Sequence, residues 1–345
     1  MKQKLLLALF ALLTATGVLA DIEVNEMNFP DENFRNWLLS QSYGADGVLT
    51  KEEIAGVTTI NLMGKRIQSL KGLEHFTELT SLYCIGNQLT ELDVSECTKL
   101  TDLECTWNQL TSLDVSKNTA LTTLTCSGNK LTVLDVSHNI ALETLGCGLN
   151  LLTSLDVSQN TLLTELYCQE NLLTELDVSK HILLRRLGCS DNQLTSINIS
   201  GHTALESLKC SGNRLAELDV SGCPELEEII CQSNQIKGEA MDVLVESLPT
   251  VNRGHLGVIN YKDDQNVMNK SQVAAAKAKG WHVYYNDNNR WKNYEGSDDP
   301  TGIGITLNEE GKMINDKYYD LQGRKLPGKP ARGIYIVGGK KKVKK

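Results

Sequence analysis

A cysteine recurs every 21 residues along this chain, at Cys84, Cys105, Cys126, Cys147, Cys168, Cys189, Cys210 and Cys231. An asparagine keeps the same interval three places later, at Asn87, Asn108, Asn129, Asn150, Asn171, Asn192, Asn213 and Asn234. Aligned on these marks, the unit reads L-x-x-L-x-C-x-x-N-x-L-T-x-L-D-V-S-x-x-x-x. Seven full copies cover 79–225, and an eighth begins at Leu226. A degenerate copy, VTTINLMGKRIQSL, precedes them, with Leu62 in the cysteine place and Lys65 in the asparagine place. A unit this short cannot bury its apolar face alone, so the copies must stack and share one continuous core.

The pattern is that of a leucine-rich repeat. The x-L-x-C stretch alternates outward and inward, which predicts a short strand, and stacked copies predict a parallel sheet on a concave face. The second leucine and the valine of L-D-V-S turn inward and form the opposite wall. A period of 21 residues leaves no room there for a full helix, so extended or tight-turn structure is expected. Place six points into the solenoid, where cysteine serves as a small buried apolar residue. The eight thiols should form a column rising about 4.8 Å per repeat. Their side chains run parallel, a poor geometry for disulfides, so free thiols are expected. Cys97 and Cys223, at place 19 of their repeats, are too far apart to pair. The place-nine asparagines should satisfy turn backbone. The Asp93, Asp114, Asp135, Asp156, Asp177 and Asp219 column should accept local backbone hydrogen bonds; Asn198 stands in the same place without the charge.

Both ends depart from the period. Residues 1–20, MKQKLLLALFALLTATGVLA, read as a secretory signal peptide with a cut after Ala20. Residues 21–56 read as a helical N-terminal cap, with Phe34, Trp37 and Leu38 at helical spacing after Pro30 or Asp31. Within it, SYGADGVLTKEEI resembles an EF-hand loop. Asp46, Gly47 and Glu53 fit, but Ser42 and Gly44 stand where acidic ligands belong, so Asp46 and Glu53 make only a weak calcium candidate. Repeats occupy 57–237. Residues 238–297 read as an α/β cap, with helices in EAMDVLVESL and SQVAAAKAKG and strands in HLGVINY and WHVYY. The polar stretch 286–302 reads as a boundary or linker. Residues 298–345 read as linker and a small β segment with two strand patterns and a lysine-rich end.

The chain carries 34 basic and 43 acidic residues, and loss of Lys2 and Lys4 with the signal makes it more acidic still. Such a surface disfavours nucleic acid. No run after the signal is long and apolar enough to span a bilayer. No glycine-rich phosphate loop follows a strand and no H-E-x-x-H occurs. His138, His181 and His202 have no repeated acidic or serine partner, so neither catalysis nor a cofactor or metal is expected.

The cysteine-bearing 21-residue unit resembles the repeats of the bacterial internalins, of the internalin J type with a cysteine ladder, over 79–234. The segments Tyr319-Asp320-Leu321-Gln322-Gly323-Arg324 and Gly333-Ile334-Tyr335-Ile336-Val337 are similar to the C-terminal sorting signal of Bacteroidetes type IX secretion. The resemblance implies a protein secreted or displayed on the outer surface of a Gram-negative bacterium, handled by secretion machinery through its C-terminal segment, and acting in adhesion or partner binding. A protein partner, such as a host surface or matrix protein, is expected on the concave sheet. The alternatives are glycan capture by stacking on Tyr83, Trp107 and Tyr167, and a structural surface-layer role. The expected contact residues are Tyr83, Glu104, Thr125, Tyr167, Lys209 and Ile230 at place five, with Trp107 just past its strand. Gly146, Gly148 and Gly188 are expected to leave the centre lean enough for a partner's backbone to approach.

Overall fold

The computed structural model describes residues 21–260, 264–288 and 290–297, and beyond them the backbone of four short strands. Residues 1–20, expected to be a signal peptide, and most of 298–345 lie outside the described residues.

The repeats build the predicted parallel solenoid. After β1 (Ile22–Glu23), α1 (Glu32–Leu39), β2 (Val48–Leu49) and α2 (Lys51–Ala55) comes β3 (Thr59–Asn61), the strand of the degenerate copy. It is followed by β4 (Ser81–Tyr83), β5 (Asp102–Glu104), β6 (Thr123–Thr125), β7 (Thr144–Gly146), β8 (Glu165–Tyr167), β9 (Arg186–Gly188), β10 (Ser207–Lys209) and β11 (Glu228–Ile230). Each strand pairs in parallel with the next at the same place in the repeat, Leu82 with Leu103 and Leu103 with Leu124. The wall opposite is made of turns: between 57 and 237 the one helical element described is a 3-10 turn at Leu73–His75. The inward leucines, valines and cysteines of all repeats join one core cluster.

At the N-terminal end, Asp31 caps α1 through Oδ1, which accepts from the Phe34 N–H at 2.9 Å. Its Oδ2 accepts from the Gln68 N–H at 2.7 Å and so ties the cap to the first repeat. Phe34 and Leu38 are buried against the core. β1 pairs antiparallel with β2. The two carboxylates of the EF-hand-like loop bond backbone: Asp46 Oδ1 accepts from Val48 N–H at 3.0 Å, and Glu53 Oε2 accepts from Thr50 N–H at 2.9 Å in a capping box.

At the C-terminal end, α3 (Glu239–Ser247), β12 (Gly254–Asn260), α4 (Lys270–Ala278) and β13 (Trp281–Asp287) follow. β12 and β13 extend the parallel sheet, and β14 (Arg290–Asn293) closes it antiparallel as its twelfth strand. Residues 290–293 therefore are not linker. Their polar composition suits an edge strand, which faces solvent and is blunted by charge. In the last segment, β15 (Tyr318–Tyr319), β16 (Lys325–Leu326), β17 (Gly333–Val337) and β18 (Lys340–Lys344) form an antiparallel sheet of four strands, two more than the sequence pattern indicated.

Candidate functional site

The solenoid interior is built from columns. All ten cysteines are free and buried. Burial pushes the thiols up, to about 12 for Cys84, Cys126 and Cys231, which disfavours the thiolate. The asparagine column closes each turn on its neighbour. Asn150 Nδ2 donates to the carbonyls of Cys126 and Cys147, both at 3.1 Å, while its Oδ1 accepts from the Leu131 N–H at 3.0 Å. One amide thus satisfies buried backbone in two successive repeats, where unpaired groups would be costly.

A second polar column, at place 19, went unread in the sequence. It runs Cys97, Asn118, Asn139, Asn160, His181, His202, Cys223, all buried. Asn139 Nδ2 donates to the Val115 and Asn118 carbonyls at 3.0 and 2.9 Å. His181 and His202 reach the same valine place in the preceding repeat, through Nε2 to the Val157 and Val178 carbonyls at 3.0 Å. A carbonyl only accepts, so Nε2 carries the proton in each. The signal was present: place 19 holds only cysteine, asparagine or histidine, three residues that can each point a donor at one carbonyl.

The aspartates behave as expected. Asp135 Oδ1 accepts from the Ser137 N–H at 2.9 Å, and the same bond recurs down the column. Hydrogen bonds from the serine hold these carboxyls below their usual range. Asn198 makes the equivalent bond to Ser200 at 3.1 Å.

The concave rows vary from repeat to repeat. Tyr83, Glu104, Thr125 and Tyr167 are half-buried on the sheet and Lys209 is exposed. Tyr167 lies across Gly188, where a Cβ would stand 3.1 Å from its ring. Its hydroxyl donates to Glu165 Oε2 at 3.0 Å, and Glu165 in turn pairs with Arg186. Lys209 Nζ pairs with Glu228 at 3.1 Å, and the Ser207 hydroxyl donates to the same carboxylate at 2.6 Å. The side chains of the C-terminal half of the face are thus held in position by their neighbours.

Two expectations change here. Ile230, expected to stand outward on the sheet, is 8% exposed. The cause is the indole of Trp291 on β14, which folds back over Gly257 beside Ile230, each within about 3 Å of where a Gly257 Cβ would stand. Trp291 meets His255 edge-on at 5.2 Å, and His255 stacks on Tyr284 at 4.5 Å, so an aromatic wall ends the groove. Gly146, Gly148 and Gly188 are buried: Thr125, Gln169 and Tyr167 lean over them, so the centre is not bare backbone. Trp107 sits outside its strand, in the left-handed turn at place eight (φ 57°), with its ring on Gly128 of the next repeat. It is 58% exposed.

These features define a leucine-rich-repeat solenoid with two internal polar columns and a varied concave sheet. Residues 29–160 match the family described as the leucine-rich-repeat domain of the endo-beta-N-acetylglucosaminidase EndoS. The functional domain of internalin J from Listeria monocytogenes, whose structure includes a cysteine ladder, superposes with a TM-score of 0.59 at 30% identity, covering 78% of this chain and 68% of that one. The chain belongs to the internalin-like leucine-rich-repeat proteins. A stretch of 71 residues, 20% of this chain, is 40% identical to internalin J of L. monocytogenes serotype 4b, and spans only 8% of that protein's length. A leucine-rich-repeat protein of Leptospira interrogans shares the fold, at TM-score 0.53 and 22% identity over 63% of this chain and 57% of that one. Among the described residues, no helix is long and apolar enough to cross a membrane.

Proposed function

We propose that this chain is an exported binding protein of internalin type, secreted or held at the outer surface of a Gram-negative bacterium, that grips a protein partner on its concave sheet. One observation carries the reading. Interior places repeat one residue type, or one hydrogen-bonding role, down the solenoid, whereas place five runs Tyr, Glu, Thr, Gly, Tyr, Gly, Lys, Ile. Core packing does not dictate that variety, because these side chains lie outside the core cluster. Solenoids of this kind use such extended concave surfaces for recognition. Nine strands at about 4.8 Å give a face of about 40 Å, enough for a protein interface of ordinary size.

Export rests on the signal peptide and on the 318–345 segment, which we assign to sorting. Chain 21–345 should be tested against immobilised extracellular matrix proteins and against a glycan array. Saturable binding to a protein, weakened by Tyr167→Ala, supports the reading; binding to glycans alone contradicts it. Deleting 318–345 should leave the repeats folded but retained in the periplasm of the native host. Normal surface delivery of the truncated chain would refute the sorting role.

A further inference from the structure

The concave face changes character at its C-terminal end, where β14 raises an indole above the sheet. The benzo rim of Trp291 rests over Gly257, with Cη2 and Cζ3 each 2.7 Å from where a Cβ would stand. A ring seated by its rim keeps surface free above the floor, and Trp291 is 39% exposed. It lies outside the core cluster, so core packing does not require it there. A large aromatic at the end of a groove is a stacking platform. His255 stands at the foot of the indole, edge-on to it at 5.2 Å, and stacks on Tyr284 at 4.5 Å.

The floor before this wall is polar, and two of its groups lack partners. Glu228 is the register neighbour of His255, as Ile230 is of Gly257. Lys209 Nζ lies 3.1 Å from the Glu228 carboxylate, to which the Ser207 hydroxyl donates at 2.6 Å. Gln232, two residues beyond Ile230 at place seven, is on the same face of the sheet. It is 9% exposed, and its Oε1 has no hydrogen-bond partner. His255 Nε2 has none either. Burial holds the His255 imidazole below its usual range, against the pull of Glu228, so the ring is neutral at pH 7. Lys209 balances Glu228, and these three groups together carry no net charge. A hydroxyl suits both open positions, because it donates to an amide oxygen and pairs with either tautomer of the imidazole.

We propose that this corner is a saccharide subsite, in which a neutral pyranose lays its C–H face on the Trp291 indole and turns hydroxyls to Gln232, His255 and Lys209. A pyranose joins an apolar face to a ring of groups that both donate and accept, the combination that the indole and the floor offer to bind. A tyrosine or tryptophan of a peptide brings the flat face but only one polar hydrogen. A charged ligand gains little from a lysine already balanced by Glu228. The subsite is distinct from Tyr83, Trp107 and Tyr167. It goes beyond the protein-binding reading of the central sheet and does not depend on it.

The test is saturation-transfer NMR on chain 21–345 with neutral trisaccharides of glucose, mannose, galactose and N-acetylglucosamine. Concentrations up to about 10 mM register affinities of about 1 mM. At least one trisaccharide should bind saturably. Trp291→Ala should weaken that binding by about tenfold or more, the scale of an aromatic anchor. Gln232→Met keeps the length of the side chain and removes its acceptor, and should weaken binding by about fivefold, the loss of one hydrogen bond. Tyr83→Ala, Trp107→Ala and Tyr167→Ala should leave it unchanged. Trp291→Phe, which keeps a ring on the edge strand, should retain part of the affinity and guards against misfolding of the alanine variant. No binding by any of the four sugars, binding that survives Trp291→Ala, equal loss from Tyr83→Ala or Tyr167→Ala, or tighter binding of trigalacturonate than of every neutral trisaccharide would overturn the proposal.

Discussion

The interior of this solenoid and its concave face are built from the same 21-residue unit and follow opposite rules. Inside, Asn87 through Asn234 and Cys84 through Cys231 repeat without exception over eight turns. On the face, no two adjacent repeats offer the same place-five residue. The interior must repeat because each amide bonds backbone in two repeats, so one wrong residue damages two turns. A face residue touches at most its neighbours on the sheet and is free to change. Constancy here marks what holds the fold, and variety marks what the fold presents.

The largest effect expected of breaking the interior is at place nine. Asn150→Ala removes the acceptor for the Leu131 N–H and the donor for two cysteine carbonyls. It should cost about 3–5 kcal/mol in urea unfolding, or prevent folding, since several buried groups lose their partners at once. The equivalent change at place 19, Asn139→Ala, strips two carbonyls and no N–H, and should cost less. If both cost the same, the two columns are not distinguished by how many groups they satisfy.

Next in size is the thiol column. Cys147→Ser places a hydroxyl where nothing accepts it, and should destabilise by about 1–3 kcal/mol. A thiol reagent should label few sites in the native protein and most of the ten cysteines after denaturation without reductant. Two or fewer free thiols in the unfolded chain would mean that disulfides, not a reduced ladder, fill the column.

The smallest effect is on the convex wall. The aspartate carboxyls have folded values below the ordinary 3.8. Their stabilisation is therefore fully present above pH 3.8 and lost as the pH falls through the lower folded value. Asp135→Asn keeps the turn bond in the manner of Asn198. It should leave stability at pH 7 unchanged and make the acid limb of a pH–stability curve shallower. A clear loss at pH 7 would show that the charge itself is needed there.

The period made the solenoid, both walls, the inward cysteines and the asparagine turn legible in sequence, because each follows from spacing alone. Three features were hidden for physical reasons. The place-19 column mixes cysteine, asparagine and histidine, so identity concealed a shared hydrogen-bonding role. Ile230 lies under an indole supplied 61 residues later, a long-range contact that no local pattern encodes. Trp107, expected just past its strand, takes a left-handed turn conformation that the spacing alone does not announce. The place-five contact residues thus remain a proposal, with Ile230 removed.

The central claim is that the varied concave face recognises the partner while the repeated framework does not. Its most direct test is the Kd for the matrix protein captured by chain 21–345, measured for Tyr167→Ala, Glu104→Ala and Trp107→Ala beside the convex control Asp135→Asn. The account predicts that Tyr167→Ala weakens binding by about 1–2 kcal/mol, roughly tenfold, with smaller losses at Glu104 and Trp107, and with Asp135→Asn unchanged. Equal losses on both walls, or loss only from changes within 239–297, would contradict it.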